Sequence, residues 1–297
     1  MTSTRIKVAR ASIAVSVLVL GVKYAAYVVS GSDALLSDAI ETILNVIAAT
    51  GTLWAISIAA LPADENHPYG HGKAEYLSAV IEGVLVVLTA VGILVIAIHD
   101  WWHPHPVHAP LRGVALNALG GLINLAWART LITVGRRQSS QALQAAGDHV
   151  QSDVWATFAL VIGVALIPVL NWPQLDPLLS IFVALNVLRA GFGMMHRSMS
   201  GLMDAAPAPE MVEAVRSIIS EHGDGALEAH DLRMRKVGPL SFVEFHLVVP
   251  SEMTVSDAHD ICDRIEAAIR EKLGRTSIHI HVEPPDKAKH SGVLVLS

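Results

Sequence analysis

The stretch "SDAIETILN" (residues 37–45) lies inside an apolar run from Ala34 to Ala60. Asp38, Glu41 and Asn45 are spaced by three and four residues, which on a helix places them on one face. An apolar run of this length reads as a membrane-spanning helix. Ionisable groups inside such a helix are costly, rare and usually functional. The composition fits a membrane protein. The 297 residues are 52% hydrophobic and 16% charged, with a mean hydropathy of +0.48. A soluble domain carries about a quarter charged residues.

Runs of spanning length recur near residues 9–30, 34–61, 76–99, 112–134, 141–170 and 175–200. Six spans put both termini on one side. Arg5, Lys7, Arg10, Lys73, Arg136, Arg137 and Arg197 then share that side; the other keeps Arg112, with Lys23 snorkelling toward it. A Lys/Arg excess marks the cytoplasmic side, so both termini are expected in the cytoplasm, beneath the inner membrane. The first apolar stretch runs on to Val29, too long for the core of a cleavable signal peptide. One cysteine, Cys262, excludes an intramolecular disulfide framework and fits a reducing compartment. A net charge of −6 argues against nucleic acid as a partner.

Charge concentrates after Asp204. The expected organisation is a six-helix transmembrane domain over 1–206, a cytosolic metal-binding and dimerisation domain over 207–285, and a flexible tail over 286–297. "PEMVEAVRSIISEHG" (209–223) reads as an amphipathic helix. "LEAHDLRMRKV" (227–237) and "LSFVEFHLVV" (240–249) read as strands joined by a Gly238-Pro239 turn. "VSDAHDICDRIEAAIREKLG" (255–274) reads as a helix capped by Ser256, and "SIHIHVE" (277–283) as a third strand. The fold class is therefore membrane α-helical, with a small cytosolic α+β domain.

The fifth span carries a second polar set in "DHVQSDV", where His149 and Asp153 are four apart. At 1.5 Å per residue, Glu41 and Asn45 lie roughly 12–18 Å into their span, and His149 and Asp153 roughly 15–21 Å into theirs, from opposite faces. The two pairs would meet near the midplane of a core about 30 Å thick. Glu41, Asn45, His149 and Asp153 then form a four-ligand cage of a kind suited to a divalent transition metal. The competing reading is hydrogen bonding between helices. Asp38 faces the cage edge or orients its helix. Glu82, in the third span, is a proton carrier or an interhelical hydrogen bond.

Between spans two and three, "PADENHPYGHGKAEY" offers Asp64, His67 and His71, either a second metal site or a solvated loop. Lys73 and Asp204 are a charge pair across two subunits or two solvated charges. In the C-terminal segment, His230, His246, His259, His281 and Glu283 come from separate elements, and either converge on a two-metal site or scatter over the surface. The loop "HDWWHPHPVHAP" (99–110) either receives leaving metal or is anchored at the interface by its tryptophans.

Five segments in order, "GSDALLSDAIETILN", "DENHPYGHGKAEY", "HVQSDV", "AHDLRMR" and "IHIHVEP", resemble the cation diffusion facilitators, of the bacterial ferrous-iron and zinc efflux type. The similarity runs over roughly residues 10–285, and "HPYGHGKAE" and "HxxxDV" are its sharpest parts. The resemblance implies a homodimer of six-span subunits in the lipid bilayer, each with a ferredoxin-like, metallochaperone-like cytosolic domain. It implies export of divalent metal from the cytoplasm with protons as counter-ion, and no organic cofactor. By motif position, the transport site falls on Glu41, Asn45, His149 and Asp153 and the loop site on Asp64, His67 and His71. A binuclear site that helps hold the dimer falls on His230, His246, His259, His281 and Glu283. Lys73 and Asp204 match a charge interlock between subunits. The zinc members carry Asp or His where this chain has Glu41, and Asp where it has Asn45. The cage here therefore has a formal charge of −2. Zinc is the first choice of metal because the outlying clusters are rich in histidine. Iron, cobalt, manganese and cadmium remain open.

Metal would enter from the cytoplasm and bind the cage, and the helices would rock to open outward. A proton would then compete for His149, whose ordinary pKa of about 6.5 suits that role. A membrane-anchored metal sensor without transport is the alternative, and it leaves the intramembrane ligands without a purpose. An intramembrane hydrolase would need a His-Glu-x-x-His helix, which is absent. A passive channel would not need a closed cage.

Overall fold

The computed structural model describes residues 2–30, 33–103, 111–170, 172, 174–289 and 292–294. Six long helices come first: α1 (Thr2–Ser30), α2 (Asp33–Ala59), α3 (Ala74–Trp102), α4 (Leu111–Arg137), α5 (Gln141–Leu170) and α6 (Leu175–Leu202). They are followed by α7 (Pro209–His222), β1 (Glu228–Val237), β2 (Leu240–Val248), α8 (Val255–Leu273) and β3 (Thr276–Glu283). A 3-10 turn (Pro285–Lys287) and a two-residue strand, β4 (Val293–Leu294), end the described chain. The chain divides into two compact units, Met1–Leu202 and Met203–Ser297.

The first unit wears its apolar residues outside. Val28, Trp54, Val95, Ile96 and Phe182 are each more than 60% exposed. Its interior combines many small residues, such as Ala9, Ala26, Ala79, Ala90, Ala128 and Ala145, with a few larger ones, Leu35, Ile56, Leu131 and Leu143. Hydrocarbon outside and small residues between helices is how membrane bundles pack. Among the described residues, five helices are long and apolar enough to cross a membrane, within Thr4–Val29, Asp38–Ala59, Ala74–Trp102, Arg112–Arg137 and Pro177–Leu202. The sixth long helix, α5, packs against α4 and α6 and carries the second polar set.

Two groups of helices share this unit. α3 packs most extensively on α6, while α1 joins α2 and α4, and α4 joins α5. Gly191 explains the α3–α6 approach. A Cβ there would stand 2.9 Å from Val87 Cγ2 and 3.3 Å from the Gly83 carbonyl oxygen, so a larger residue would have to push Val87 or the α3 backbone aside.

The second unit is a four-stranded sheet of order β3-β2-β1-β4. β1 and β2 form an antiparallel hairpin, with Gly238 at φ +57 as the first turn residue. β3 returns parallel to β2 after α8. Val243, Phe245 and Leu247 of β2 form one core with Val215 and Ile219 of α7 and Ile261, Ile265 and Ile269 of α8. Strand alternation therefore sends His246 to the face opposite the helices. The cap of α8 is Thr254 and not Ser256. The helix starts at Val255, so the residue before it is the one whose hydroxyl accepts from the Asp257 amide, at 3.2 Å. Beyond Pro285, in the segment expected to be a flexible tail, β4 pairs antiparallel with the outer edge of β1.

Candidate metal-transport site and cytosolic metal clusters

α2 and α5 bring Asn45 and Asp153 together. Asn45 Nδ2 donates to Asp153 Oδ2 at 2.5 Å, and both residues are buried. His149 precedes Asp153 by one turn and is 7% exposed. Asn45 Oδ1 is buried without a hydrogen-bond partner among the described residues, so an acceptor inside the bundle is left free. His149 and Asp153 also line a small cavity with Thr89, Ser152 and Val86. Glu41 lies in α2, one turn before Asn45, and its side chain lies outside the described residues. Three of the four expected cage members thus stand together.

Lys23 does not snorkel outward. It is 1% exposed and donates to Asp38 Oδ1 at 2.8 Å. α1 packs along α2, so the ammonium finds a carboxylate inside the bundle and need not reach water. Asp38 is therefore held by a cation, with its Oδ2 unpartnered among the described residues. Glu82 of α3 accepts from the Thr52 hydroxyl of α2.

The loop between α2 and α3 gathers Asp64, His67 and His71. One ligand atom from each lies within 4.8 Å of the others. His67 Nδ1 and His71 Nε2 each stand 3.4 Å from the Asp64 carboxylate. The turn is local: the Asn66 and His67 amides donate to Asp64 Oδ1, and Gly70 adopts φ +81. The His67 amide, with the two imidazoles beside it, holds the Asp64 carboxyl below its usual range. An anionic oxygen facing two imidazoles in a solvent-exposed loop fits a divalent cation.

On the open face of the sheet, His230, His246 and Glu283 gather in the same way, within 4.8 Å. Register explains it. His230 is the cross-strand partner of His246, and His246 of His281. His246 Nδ1 lies 2.9 Å from Glu283 Oε1, His230 Nε2 3.3 Å from Oε2, and His281 Nε2 3.6 Å from Oε1. Three imidazole nitrogens therefore face one carboxylate, a donor set that fits a metal, while His230 Nδ1 faces Glu228 Oε1 at 3.5 Å. His259 does not join within one chain. It sits on the outer side of α8, 3.8 Å from Asp263, and the sheet lies between α8 and the cluster.

Lys73 donates to the Leu202 carbonyl at 3.1 Å, and Asp204 accepts from Arg235 at 3.0 Å. His99 and His103 stack at the end of α3, with ring centroids 4.8 Å apart. His105 and His108 lie outside the described residues.

One buried network escaped the sequence reading. Arg5 Nη1 of α1 donates to Glu75 Oε1 of α3 at 2.6 Å. Ser140 Oγ, just before α5, donates to Glu75 Oε2. A second pair joins Asp148 of α5 to Arg197 of α6. These partners are 65, 70 and 49 residues apart, and nothing in local spacing announces such pairings.

Residues 9–203 match the model of the cation efflux transmembrane domain, and 207–285 that of the cation efflux protein cytoplasmic domain. An uncharacterized transporter of Synechocystis sp. is 38% identical over 278 residues, covering 94% of this chain and 90% of its own. The cation-efflux pump FieF of Cronobacter sakazakii is 29% identical over 283 residues, covering 93% of each. A solved structure of CzrB in its zinc form is 44% identical over 28% of this chain and 96% of its own, with a TM-score of 0.27. The metal-bound C-terminal domain of the CzcD transporter from Thermotoga maritima is 25% identical over 27% of this chain and 93% of its own, with a TM-score of 0.25. The chain belongs to the cation efflux family, the cation diffusion facilitators, whose members transport metal cations and are not enzymes.

Proposed function

We propose that this chain exports divalent transition-metal cations, zinc first, from the cytoplasm in exchange for protons. The reading rests above all on the contact between Asn45 and Asp153. It places a carboxylate, an amide with a free acceptor oxygen and the imidazole of His149 on two facing helices. Glu41 completes the cage from one turn before Asn45. In this reading α5 is a sixth span, both termini are cytoplasmic, and the protein is a homodimer in the inner membrane.

Imidazole binds metal only when neutral, so binding the cargo expels a proton and protonation expels the cargo. Helix rocking exposes the cage first to the cytoplasm and then outward. The loop cluster of Asp64, His67 and His71 concentrates cations beside α3. The cluster of His230, His246, His281 and Glu283 holds a resident metal that ties two cytosolic domains together. Within one chain the sheet separates His259 from this cluster, so we infer that His259 reaches it from a second copy. Lys73 and Asp204 act as a charge interlock between subunits.

Zn2+ uptake into sealed liposomes against an opposing pH gradient tests the proposal. Wild type is expected to accumulate metal, and Asp153→Ala to lose the gradient-driven part. Equal gradient-driven uptake by both proteins would remove Asp153 from the transport site, and metal binding with no uptake by either would return the reading to a metal-binding sensor.

A further inference from the structure

Glu82 is a buried carboxyl that the cage does not use. It is 3% exposed; Oε1 accepts from Thr52 Oγ1 and Oε2 has no partner among the described residues. Thr52 lies seven residues after Asn45 on the same face of α2, about 10 Å along the helix. Glu82 lies one turn before Val86, which shares a cavity with His149 and Asp153. On the other side α6 closes in. A Cβ on Gly83 would stand 2.6 Å from Met195 Cγ and 3.3 Å from the Gly191 carbonyl oxygen. The carboxyl is thus sealed in the seam between α2 and α3, between the cage and the end where α3 begins.

The charged groups around it have other positions or partners. On α2, Asp38 is paired with Lys23 and Glu41 lies about three turns from Thr52. On α5, His149 and Asp153 belong to the cage, and Asp148 is held by Arg197 of α6. α6 also carries Asp176, Arg189 and His196. Glu75 lies two turns earlier on α3 and holds Arg5. Among the described residues, the partner of Glu82 is the Thr52 hydroxyl.

A buried carboxylate served by one hydroxyl lacks the compensation its charge needs, whereas the neutral acid keeps the same bond. We propose that Glu82 is a proton-binding site of the α2–α3 seam, filled when the seam closes toward the cytoplasm and emptied when it opens. On closing, a hydronium O–H bond in the cytoplasmic water breaks, leaving water, as the O–H bond on the carboxylate forms. On opening, that bond breaks and the proton returns to the same water. This proton does not cross the membrane. It sets how strongly cytoplasmic acid favours the closed seam, not how many protons are exchanged per metal. The inference rests on the alternating-access reading above.

Infrared difference spectra of the full-length protein between alkaline and acidic pH provide the test. Wild type is expected to show a protonated-carboxyl C=O band that Glu82→Gln lacks, since glutamine still accepts from Thr52 but carries no titrating proton. Thr52→Val is expected to keep the band and shift it, because the acid persists without its donor. A band retained in full by Glu82→Gln would overturn the proposal. In liposomes, acidifying the cytoplasmic face should slow wild-type transport more steeply than Glu82→Gln, and equal steepness would also overturn it. Liposomes showing no proton exchange would defeat the antiport reading, while the infrared band would still decide the Glu82 site.

Discussion

Glu75 shows what a single charged side chain does inside this bundle. Its carboxylate receives Arg5 and Ser140, and the side chains of Glu75 and Arg5 are 2% and 6% exposed. Removing one partner leaves an uncompensated buried charge. Glu75→Ala is expected to destabilise the protein by about 3–5 kcal/mol, measured by denaturant unfolding in micelles. The double variant Arg5→Met/Glu75→Leu should recover much of that loss. Cys262 behaves in the opposite sense. Burial pushes its thiol up from the ordinary value, and the thiolate is the reactive form. It is expected to resist maleimide at neutral pH while folded, to react faster as pH rises, and to label fully after unfolding. At this scale the sequence was partly legible. The costs of Asp38, Asn45, His149 and Asp153 stood out because an apolar run surrounds each. The fate of Lys23 did not, because snorkelling and pairing with Asp38 satisfy the same charge and only the packing of α1 on α2 chooses between them.

The elements followed from periodicity. All six long helices and the helix-strand-strand-helix-strand order could be read from apolar runs, alternation and the Gly238-Pro239 turn. The weakest signals failed: a cap displaced by two residues, and a strand of only two. β4 has a testable consequence. Gly292 lies so close to β1 that a Cβ would stand 2.3 Å from the Ala229 carbonyl oxygen. Gly292→Val is expected to release the tail strand, seen as faster amide exchange over residues 292–294 with the rest of the sheet unchanged. The α3–α6 contact is equally intolerant. Gly191→Ala is expected to cost about 1–3 kcal/mol by overpacking, read as a loss of thermostability in detergent.

For the whole molecule, the amino-acid sequence carried the family through motifs spread over nearly its full length, and the domain models match the same span. The cytosolic cluster was legible only in part. Strand alternation placed His281 and Glu283 on one face, but it could not show that the sheet separates them from His259 on α8. If His259 reaches the cluster from a second copy, as proposed above, dimerisation and metal binding are interdependent. Chelation of the purified protein is expected to weaken the dimer, and His246→Ala to weaken it without chelator; analytical ultracentrifugation reads both. The central claim concerns the membrane unit, where Asn45, His149 and Asp153 meet. Metal-specific uptake by sealed liposomes under a pH gradient, wild type against Asp153→Ala, tests it most directly. The account predicts accumulation of Zn2+ that follows the proton gradient and is lost in the variant. Gradient-driven uptake that survives Asp153→Ala, or metal binding with no transport by wild type, would contradict it.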